Sequence, residues 1–475
     1  MTRHTTFKFC LDPTVEQQTV LSRHAGAARF GYNQCLRMVK TALTQHRTEP
    51  AIEVPWTGFD LINAFNAWKK TADAGRVFAV DPGCVVEIQV TGLAWRTQVC
   101  QQVFEEAAVD CSRALTAWSD SRSGKRRGRW AGFPRFKKKT EAIPSFRLRN
   151  KCARNGKPAI RVGESHMRSV TLPGIGSVGL HDDTRRLRRL LAKGRAKILF
   201  ASVSYHAGHW WVSLNIEAAD LHPAQRHPAR LAEDSGGWVG LDRGLSAFLV
   251  AATSDGREVG RIDDAPKALA AGMRTQRHLS KSLSRKKKGS RNRRHATARL
   301  ARHHSHVRNV RQHFLHQVSN EVVKTHDRLV LEDLNVAGML ANHRLAQAIS
   351  DAGWAEFARL VHYKAEWRGG TVAIVDRWYP SSQLCSRCGT RNYGLALADR
   401  VFTCGCGHIG DRDVNAAANL AKWGENHQAH AKPRTPKHGG RVTNARRRDG
   451  ADRHPACAGE TSPEDAGTDV HAAPA

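Results

Sequence analysis

The sequence contains no apolar run long enough to cross a membrane, and its first residues, MTRHTTFKFCLDP, lack the apolar core of a signal peptide. Acidic side chains are also scarce, with 43 Asp and Glu against 75 Lys and Arg, so that the formal net charge is +32. Hydrophobic residues fill 40% of the 475 positions, which is low for a globular protein but well above a disordered chain. We therefore expect a cytoplasmic protein that folds and has no membrane span.

The excess of positive charge predicts a polyanionic partner. A charge of +32 destabilises a compact chain by self-repulsion unless a partner neutralises it. Nucleic acid is the partner that this charge favours, and its binding should then depend strongly on salt concentration. An anionic membrane surface is the weaker alternative.

The eleven cysteines predict one metal site rather than a disulfide framework, because their number is odd and four of them form one cluster. The motif CSRCG supplies Cys385 and Cys388, and CGCGH supplies Cys404 and Cys406. Two loops of paired thiolates suit a tetrahedral four-sulfur site, for which zinc is the favoured ion. The second pair is a tight C-x-C, so His408 is an alternative fourth ligand. No base or open coordination position accompanies the cluster, which indicates one structural zinc.

The front of the chain alternates between strand and helix patterns. A short strand comes first, and Thr14 with Gln17 fits a capping box that opens a helix. Residues 15–120 are predicted to be mainly helical. The stretch GKRRGRWAGFPRFKKK at 124–139 interleaves aromatic rings with cations, which suits either stacking with phosphate contact or a solvated loop. Beyond it the apolar period changes to two, with a hairpin turn near Gly208, and predicts a small antiparallel barrel.

From Gly237 onward the pattern is α/β. Two strands lie within GGWVGLDRGLSAFLVAATSDG, and a long helical region follows that is interrupted by a basic elbow at 285–294. The strand RLVLEDLNV, a helix at 345–368 and the strand TVAIV come next. The elbow either contacts phosphate or is a solvated charge run. An Ala-rich helix is expected to close at Gly424, and the aperiodic residues 425–475 are predicted to be disordered.

Three carboxylates stand at the ends of predicted buried elements. Asp242 lies in the apolar strand WVGLDRGL, Glu332 ends the run LVLE, and Asp413 precedes the helix VNAAANLAKW. Taken singly, Asp242 and Glu332 could hold structural salt bridges, and Asp413 or Asp411 could cap the helix. Taken together, with no Ser-His or Cys-His arrangement to match, three oxygen ligands on separate elements fit two Mg²⁺ ions. Such a site predicts phosphodiester hydrolysis.

The motifs GLDRGL, VLEDLNVAGM, YPSSQLCSRCG and CGHIGDRDVNAAANL resemble those of the TnpB (OrfB) proteins of bacterial insertion sequences, relatives of the type V CRISPR effectors. In the front half, LDPTVEQ, GYNQCL, GFPRFKKK and AGHWWVSL are similar to the same family. The resemblance covers roughly residues 5–424. It implies an RNA-guided DNA endonuclease, with Asp242, Glu332 and Asp413 as catalytic acids that bind two Mg²⁺ ions and Asp411 as the alternative third acid.

The implied fold is an α/β RuvC-like (RNase H-type) nuclease domain with an inserted zinc finger, joined to an N-terminal wedge β-barrel that carries a helical recognition insert. The expected domains are a wedge barrel at 1–14 and 121–235, a recognition domain at 15–120, a nuclease at 236–383 and 407–424, a zinc finger at 384–406 and a disordered tail at 425–475.

The partners implied by the resemblance are a guide RNA and a double-stranded DNA target with a short flanking motif. A monomer per guide complex, associated with the bacterial nucleoid, is expected, and a dimer is left open. Three other functions stay open beside the one that the resemblance implies. They are a guided DNA-binding regulator without cleavage, a DNA-strand-transfer transposase and a structural zinc-binding DNA protein.

Overall fold

The structure is a computed structural model that describes residues 3–80, 86–126, 129–152, 156–218, 226–230, 234, 236–396, 398–427 and 459–461. The chain forms two compact units. The described part of the first is residues 3–218 with 459–461, and that of the second is residues 226–427. Within these ranges no helix is both long and apolar enough to cross a bilayer.

In its described residues the first unit combines a large antiparallel sheet, a separate two-stranded antiparallel hairpin and four α-helices. Its elements are β1 (Arg3–Asp12), α1 (Val15–Thr48), α2 (Gly58–Trp68), β2 (Arg76–Val80), β3 (Val86–Thr91), α3 (Gln101–Arg122), β4 (Ser145–Arg149), β5 (Arg161–Val162), β6 (Ser169–Leu172), β7 (Gly176–Leu180), α4 (Arg185–Ala192), β8 (Ala196–His206) and β9 (His209–Ala218). The sheet order is β4-β8-β9-β1-β7-β6-β5, with every neighbouring pair antiparallel.

The hairpin between β8 and β9 follows from its local sequence. Ala207 and Gly208 both adopt positive φ angles, 52° and 89°, as the tight two-residue turn between antiparallel strands requires. Val203, Val212 and Leu214 are completely buried on one face of the hairpin. The turn predicted near Gly208 is therefore confirmed. The described strands form a sheet with β4 at one edge and β5 at the other. The closure of this sheet into a wedge barrel stays a prediction.

The start of the helical group also agrees with the sequence. The Thr14 hydroxyl accepts the Gln17 N–H, and the Gln17 side chain accepts the Thr14 N–H, so the predicted capping box is confirmed. In the core beneath, Phe65 of α2 and Phe104 of α3 stack with their ring centroids 5.2 Å apart. Such an aromatic pair contributes large buried apolar area and fixes the position of α2 against α3.

One part of the stretch predicted to be mainly helical, residues 15–120, is extended instead. Strands β2 and β3 pair as an antiparallel hairpin between α2 and α3. Val77, Phe78, Ile88 and Val90 give this segment a β-branched and aromatic content that favours strand over helix. The assignment of the whole stretch to a recognition domain stays a prediction.

The second unit is an α/β structure around a five-stranded mixed sheet. Its elements are β10 (Trp238–Asp242), β11 (Leu249–Thr253), β12 (Glu258–Ile262), α5 (Ala268–Ser284), α6 (Arg291–Thr325), β13 (Arg328–Glu332), α7 (Val336–Met339), α8 (Ala346–Ala352), α9 (Trp354–Trp367), β14 (Thr371–Val375), β15 (Val401–Thr403), β16 (Ile409–Asp411) and α10 (Arg412–Asn426). The sheet order is β12-β11-β10-β13-β14, in which β10, β13 and β14 are parallel, and β15 and β16 form a separate hairpin.

Helix α10 packs directly on the centre of this sheet. Its Ala417 lies so near β10 that a Cβ at Gly240 would be 1.9 Å from the Ala417 carbonyl oxygen, so only glycine fits at position 240. Trp238, Val330 and Leu420 are buried in the same layer. The small side chains of the Ala-rich helix thus permit a close approach between helix and sheet.

The predicted helix at 345–368 is divided in the structure. Gly353 adopts a left-handed conformation with φ 64°, which ends α8 and starts α9. The glycine therefore acts as a break between two helices.

The expected end of the last helix at Gly424 is wrong, because α10 continues to Asn426. A Cβ at Gly424 would be 2.7 Å from Val330 Cγ2 and 2.8 Å from the Trp238 ring, so this glycine serves packing and not helix termination. The predicted disordered tail, 425–475, also needs correction at residues 459–461, which pair antiparallel with β1. Residues 428–458 and 462–475 lie outside the described part of the chain.

Candidate active site and metal centre

Two of the three predicted acids end neighbouring parallel strands. In the pairing of β10 with β13, Leu241 is opposite Leu331, and Asp242 and Glu332 each follow by one residue. The strands place both carboxylates at the same edge of the sheet, because the carboxyl ends of parallel strands meet there. Both side chains are partly buried.

The third acid, Asp413, acts on the same site from the first turn of α10. The pKa of Asp242 is raised to about 8, first by burial and then by the negative charges of Glu332 and Asp413. Burial also raises the pKa of Asp413, and the charge of Asp411 adds to this rise. Three elements thus place Glu332 and Asp413 within electrostatic range of Asp242. The arrangement is unfavourable for three anions and favourable for a bound cation.

Asp411 has a different environment from Asp413. Its carboxylate caps α10 by accepting the N–H groups of Asp413 at 2.8 Å and Val414 at 3.0 Å. Its other oxygen pairs with the Arg261 guanidinium at 3.1 Å. The N-cap function that the sequence left open between the two aspartates therefore belongs to Asp411, whose two oxygens are both engaged within the protein.

Arg243 supports the strand ends and was not identified from the sequence. Its buried guanidinium donates to the backbone oxygen of Glu332 at 2.5 Å and to that of Trp354 at 3.1 Å. Burial lowers the pKa of Arg243 to about 10, while the acidic side chains around it act in the opposite direction. The arginine ties β10 to the end of β13. Its position directly after the strand-end aspartate, in GLDRGL, was the available signal.

The four predicted cysteines do come together. Cys385 Sγ lies 3.7 Å from Cys406 Sγ, and Cys388 Sγ lies 3.6 Å from Cys404 Sγ. Among the described residues, these thiols are the one group of three or more His, Cys, Asp or Glu side chains whose ligand atoms all lie within 4.8 Å of one another. A compact group of four sulfurs suits a structural metal such as zinc. The three carboxylates are more widely spaced.

Backbone turns and side chains prepare the thiol cluster. The Gly389 N–H bonds to the Cys385 carbonyl and the Gly407 N–H to the Cys404 carbonyl, at 2.9 and 3.0 Å, so each pair sits on its own tight turn. Hydrogen bonds with Thr390 lower the pKa of Cys388, which favours the thiolate that binds metal.

His408, the alternative fourth ligand, lies outside the sulfur group. Its Nε2 is 3.3 Å from the Ser386 hydroxyl, and the four ligand atoms that converge are all sulfur. The tight C-x-C pair is accommodated by the positive φ angle of Gly407, 85°, directly after Cys406.

Two asparagines of α10 bind the loop that leads to the first cysteine pair. Asn415 and Asn419 are four residues apart, so they share one helix face, and both are buried. Their side-chain amides donate to the Leu384 carbonyl at 2.6 and 2.7 Å, and Asn419 also donates to the Ser381 carbonyl at 2.8 Å. Ser381 in turn donates to Glu332 Oε1 at 2.5 Å. The sequence motifs gave no indication that Ser381, Asn415 and Asn419 take part in the site.

The two predicted basic segments are both partly exposed. In the elbow between α5 and α6, the side chains of Lys286, Lys287 and Lys288 are exposed, and Arg293 holds the turn by donating to two backbone carbonyls. In the first unit, Trp130 is 69% exposed, whereas Phe133 packs edge-on against Trp118.

The segment at 124–139 also contributes to the wall of a cavity of about 960 Å³ in the first unit. Its cations there are Arg135, Lys137 and Lys139, and Arg29 lines the same cavity, whereas Arg147 in its wall is paired with Glu106. Several cations around one concave surface suit a polyanion. This cavity is a second candidate interface.

Three family models match the chain. The Cas12f1-like TNB domain matches residues 354–420, the OrfB_IS605 model described as "Probable transposase" matches residues 224–343, and a helix-turn-helix domain matches residues 1–48. In the structure, residues 3–48 form a strand and one long helix.

Several named proteins are similar to the chain. A Mycobacterium tuberculosis protein named "Putative RNA-guided DNA endonuclease Rv2885c" is 33% identical over 88% of this chain and 86% of its own length. Escherichia coli InsQ, which carries the same description, is 28% identical over 89% of this chain and 93% of its own length. A Cas12f1 nuclease of Sulfoacidibacillus thermotolerans is 42% identical over 12% of this chain and 14% of its own length.

The second unit thus defines an α/β protein with two carboxylates at the ends of neighbouring parallel strands and a group of four thiols that could hold a metal ion. The chain belongs to the TnpB (OrfB) family. A solved complex of Cas12f1 with guide RNA and target DNA aligns with 88% of this chain and 99% of its own, at 11% identity and a TM-score of 0.49.

Proposed function

We propose that the protein is an RNA-guided DNA endonuclease of an insertion sequence. The observation that carries this function is that Asp242 and Glu332 end neighbouring parallel strands, and that the charges of Glu332 and of Asp413, on a third element, both act on Asp242. Family membership, the names of the full-length relatives and the net charge of +32 support it. Its partners are a guide RNA and double-stranded DNA with a short flanking motif, bound by one protein copy.

The three acids fit two Mg²⁺ ions because they are hard oxygen donors that repel each other in the absence of a cation. Bound there, the ions would activate a water and stabilise the leaving 3′-oxygen of a phosphodiester. Asp242 and Glu332 hold their positions through the parallel strands and Arg243. This is the chemistry of a RuvC-like nuclease.

Asp413 is proposed as the third acid and Asp411 as its structural neighbour. The support for this choice is that the charge of Asp413 acts on Asp242, while Asp411 is used by the helix cap and by Arg261. The four cysteines hold one structural zinc, and the finger around them, 384–406, is an insert within the nuclease at 236–383 and 407–426.

The front of the chain is proposed to bind nucleic acid. In this proposal residues 1–14 and 121–235 form the wedge barrel and residues 15–120 the recognition domain. The cavity lined by Arg29, Arg135 and Lys139 then lies in the part of the chain that would contact the polyanion.

The test is cleavage by protein purified with the RNA that it binds in the cell. The RNA is sequenced, and a plasmid library with a matching target and randomised flanks is offered with Mg²⁺. Asp242→Ala and Asp413→Ala should lower the cleavage rate by at least about 10³-fold with target binding intact, and Asp411→Ala should lower it by less than about 10-fold.

Each alternative has its own outcome in this experiment. Target binding without cleavage by the wild type would indicate a guided regulator, and products joined to a new 3′ end would indicate a strand-transfer transposase. Absence of a discrete RNA would contradict guidance. If Asp411→Ala and not Asp413→Ala stops cleavage, the choice of the third acid is wrong.

A further inference from the structure

We propose that Ser381 positions Glu332 for cation binding, and that the zinc finger sets the position of Ser381 through Asn419 and Asn415. This inference rests on the proposed function. It concerns buried hydrogen bonds that join the thiol cluster to one of the three acids, over a path in which each contact is 2.5–2.8 Å long.

The path begins at Glu332. The Ser381 side chain is buried, with 4% of the residue exposed, and its hydroxyl donates to Oε1 of Glu332 at 2.5 Å. A hydroxyl donor to an ionised carboxylate is a strong, orienting interaction. It occupies one acceptor position of one oxygen, so the rest of the carboxylate remains available to a cation. Ser381 thus fixes which way Glu332 points.

The next step is the backbone of Ser381. Its carbonyl accepts the side-chain amide of Asn419 at 2.8 Å, and the same amide donates to the Leu384 carbonyl at 2.7 Å. Asn419 is 4% exposed and lies on α10, which is packed on the sheet. Because the helix and the sheet are close-packed, Asn419 is a fixed point for the loop that begins at Ser381.

The last step reaches the thiols. Asn415 donates to the Leu384 carbonyl at 2.6 Å and accepts the Ser386 N–H at 2.8 Å. Cys385, 1% exposed, is the residue between these two anchors, and its Sγ is part of the four-sulfur group. A metal that binds the thiols therefore fixes the backbone on both sides of Cys385. Through the shared Leu384 carbonyl and Asn419, it fixes Ser381 as well.

The consequence is that zinc binding and Mg²⁺ binding are coupled. When the thiols hold their metal, the Ser381 hydroxyl stays within hydrogen-bond distance of Glu332, and the Glu332 carboxylate keeps the orientation that a cation needs. When the thiols are empty, Cys385 loses its anchor, the contacts of Asn415 and Asn419 alone hold the loop, and the Ser381 hydroxyl is held less firmly against Glu332. Removing such a supporting hydrogen bond around a metal ligand lowers metal affinity by about 10–100-fold.

The experiment measures Mn²⁺ binding to the full-length protein by electron paramagnetic resonance, together with the Mg²⁺ concentration that gives half-maximal cleavage. Ser381→Ala should weaken both by about 10–100-fold. Ser381→Thr keeps the hydroxyl and should recover most of the affinity. The matched control is Ser382→Ala, which removes the same atoms one residue further on and should stay within about 2-fold of the wild type.

Asp242→Ala separates this inference from the proposed function. If Asp242→Ala keeps wild-type Mn²⁺ affinity, the proposed carboxylate site itself is wrong. If Asp242→Ala loses Mn²⁺ while Ser381→Ala binds it like the wild type, only the role of Ser381 is overturned. Circular dichroism of each variant checks that the fold is kept.

The coupling to zinc is tested by a double-mutant cycle. Cys388→Ser should reduce the bound zinc, measured by mass spectrometry, and weaken Mn²⁺ binding in the same direction as Ser381→Ala. Because both changes act on one path, the double variant should be little weaker than the stronger single variant. Fully additive losses, or a zinc-depleted Cys388→Ser with unchanged Mn²⁺ affinity, would overturn the coupling.

Discussion

Asp242 illustrates at the residue scale why the candidate site is costly for folding. Its carboxyl is partly buried beside two further acids, and its pKa is raised to about 8 by burial and by the charges of Glu332 and Asp413. A buried carboxylate without a cation loses hydration that the protein does not replace. The site therefore reduces stability in exchange for affinity toward cations.

We predict that Asp242→Asn stabilises the protein in the absence of divalent cations. Asparagine has nearly the same shape and is neutral without a bound proton, whereas the Asp242 carboxyl must take up a proton on folding at this pH. In EDTA at pH 7.5 the melting temperature should rise by about 2–6 °C, for a gain on the order of 1–2 kcal/mol. Differential scanning calorimetry measures it, with Asp264→Asn at an exposed position as the control.

The pH dependence of this gain has a definite sign. Between pH 4 and pH 8 the folded Asp242 carboxyl keeps a proton that the unfolded chain has lost, because its folded pKa is the higher one. The free energy of unfolding of the wild type therefore falls as the pH rises through this window. The advantage of Asp242→Asn should be absent near pH 4 and largest near pH 8, and Mg²⁺ should stabilise only the wild type. A gain that is equal at both pH values would contradict this account.

The sequence made the three acids visible because a charge at the end of an apolar strand has few explanations. Asp242, Glu332 and Asp413 were identified in this way. Ser381 and Asn419 were not, since a polar residue in a loop or at one position of a helix has many possible partners. Which partner it contacts depends on how distant elements pack, and that information comes only with the tertiary structure.

At the scale of elements, apolar periodicity located most helices and strands but gave the wrong role to two glycines. Gly353 divides a stretch predicted as one helix, and Gly424 lies inside a helix that was expected to stop there. The same residue type ends a helix when it takes a positive φ angle and permits close packing when it faces a sheet. Sequence alone does not distinguish the two uses.

The packing role of Gly424 gives a prediction with a clear sign. Alanine normally stabilises a helix by about 1 kcal/mol relative to glycine. At Gly424 the added Cβ would be 2.7 Å from Val330 Cγ2 and 2.8 Å from the Trp238 ring. Gly424→Ala should therefore lower the free energy of unfolding by about 1–3 kcal/mol. Thermal and urea unfolding followed by circular dichroism measure the change.

The control is Gly26→Ala in α1. A Cβ at Gly26 would meet nothing within 4 Å, so here the helix propensity acts alone and stability should rise by about 0.5–1 kcal/mol. Opposite signs for the two substitutions are expected. A stabilising Gly424→Ala would mean that α10 does not approach the sheet as closely as described.

At the scale of the whole molecule, the net charge of +32 favours nucleic-acid binding through those cations that are exposed and have no acidic partner. Part of it is neutralised internally, as in the buried Arg147–Glu106 pair. The elbow cations Lys286, Lys287 and Lys288 are different, because their side chains are exposed on a turn whose backbone Arg293 holds in place. Exposed cations on a fixed turn suit phosphate contact.

We predict that changing these three lysines to glutamine weakens nucleic-acid binding mainly through its salt dependence. Each lost phosphate contact removes about 0.9 from the slope of log affinity against log salt for duplex DNA, so the slope should become shallower by about 2–3. Cleavage at saturating DNA and Mg²⁺ should stay within about 3-fold, since the elbow is not part of the carboxylate cluster. Fluorescence anisotropy at several salt concentrations gives the slope.

The control removes the same number of charges from positions that already have acidic partners. These are Arg261, Arg359 and Arg377 of the second unit, which lie outside the front of the chain and pair with Glu258, Glu356 and Asp333 at 2.9, 2.6 and 2.7 Å. If binding responds only to total charge, both triple variants will change the slope equally and the elbow is a solvated charge run. If the elbow contacts phosphate, only the elbow variant will show a shallower slope of log affinity against log salt. A cation that a carboxylate already neutralises displaces few counterions from the nucleic acid, so removing it changes the slope little.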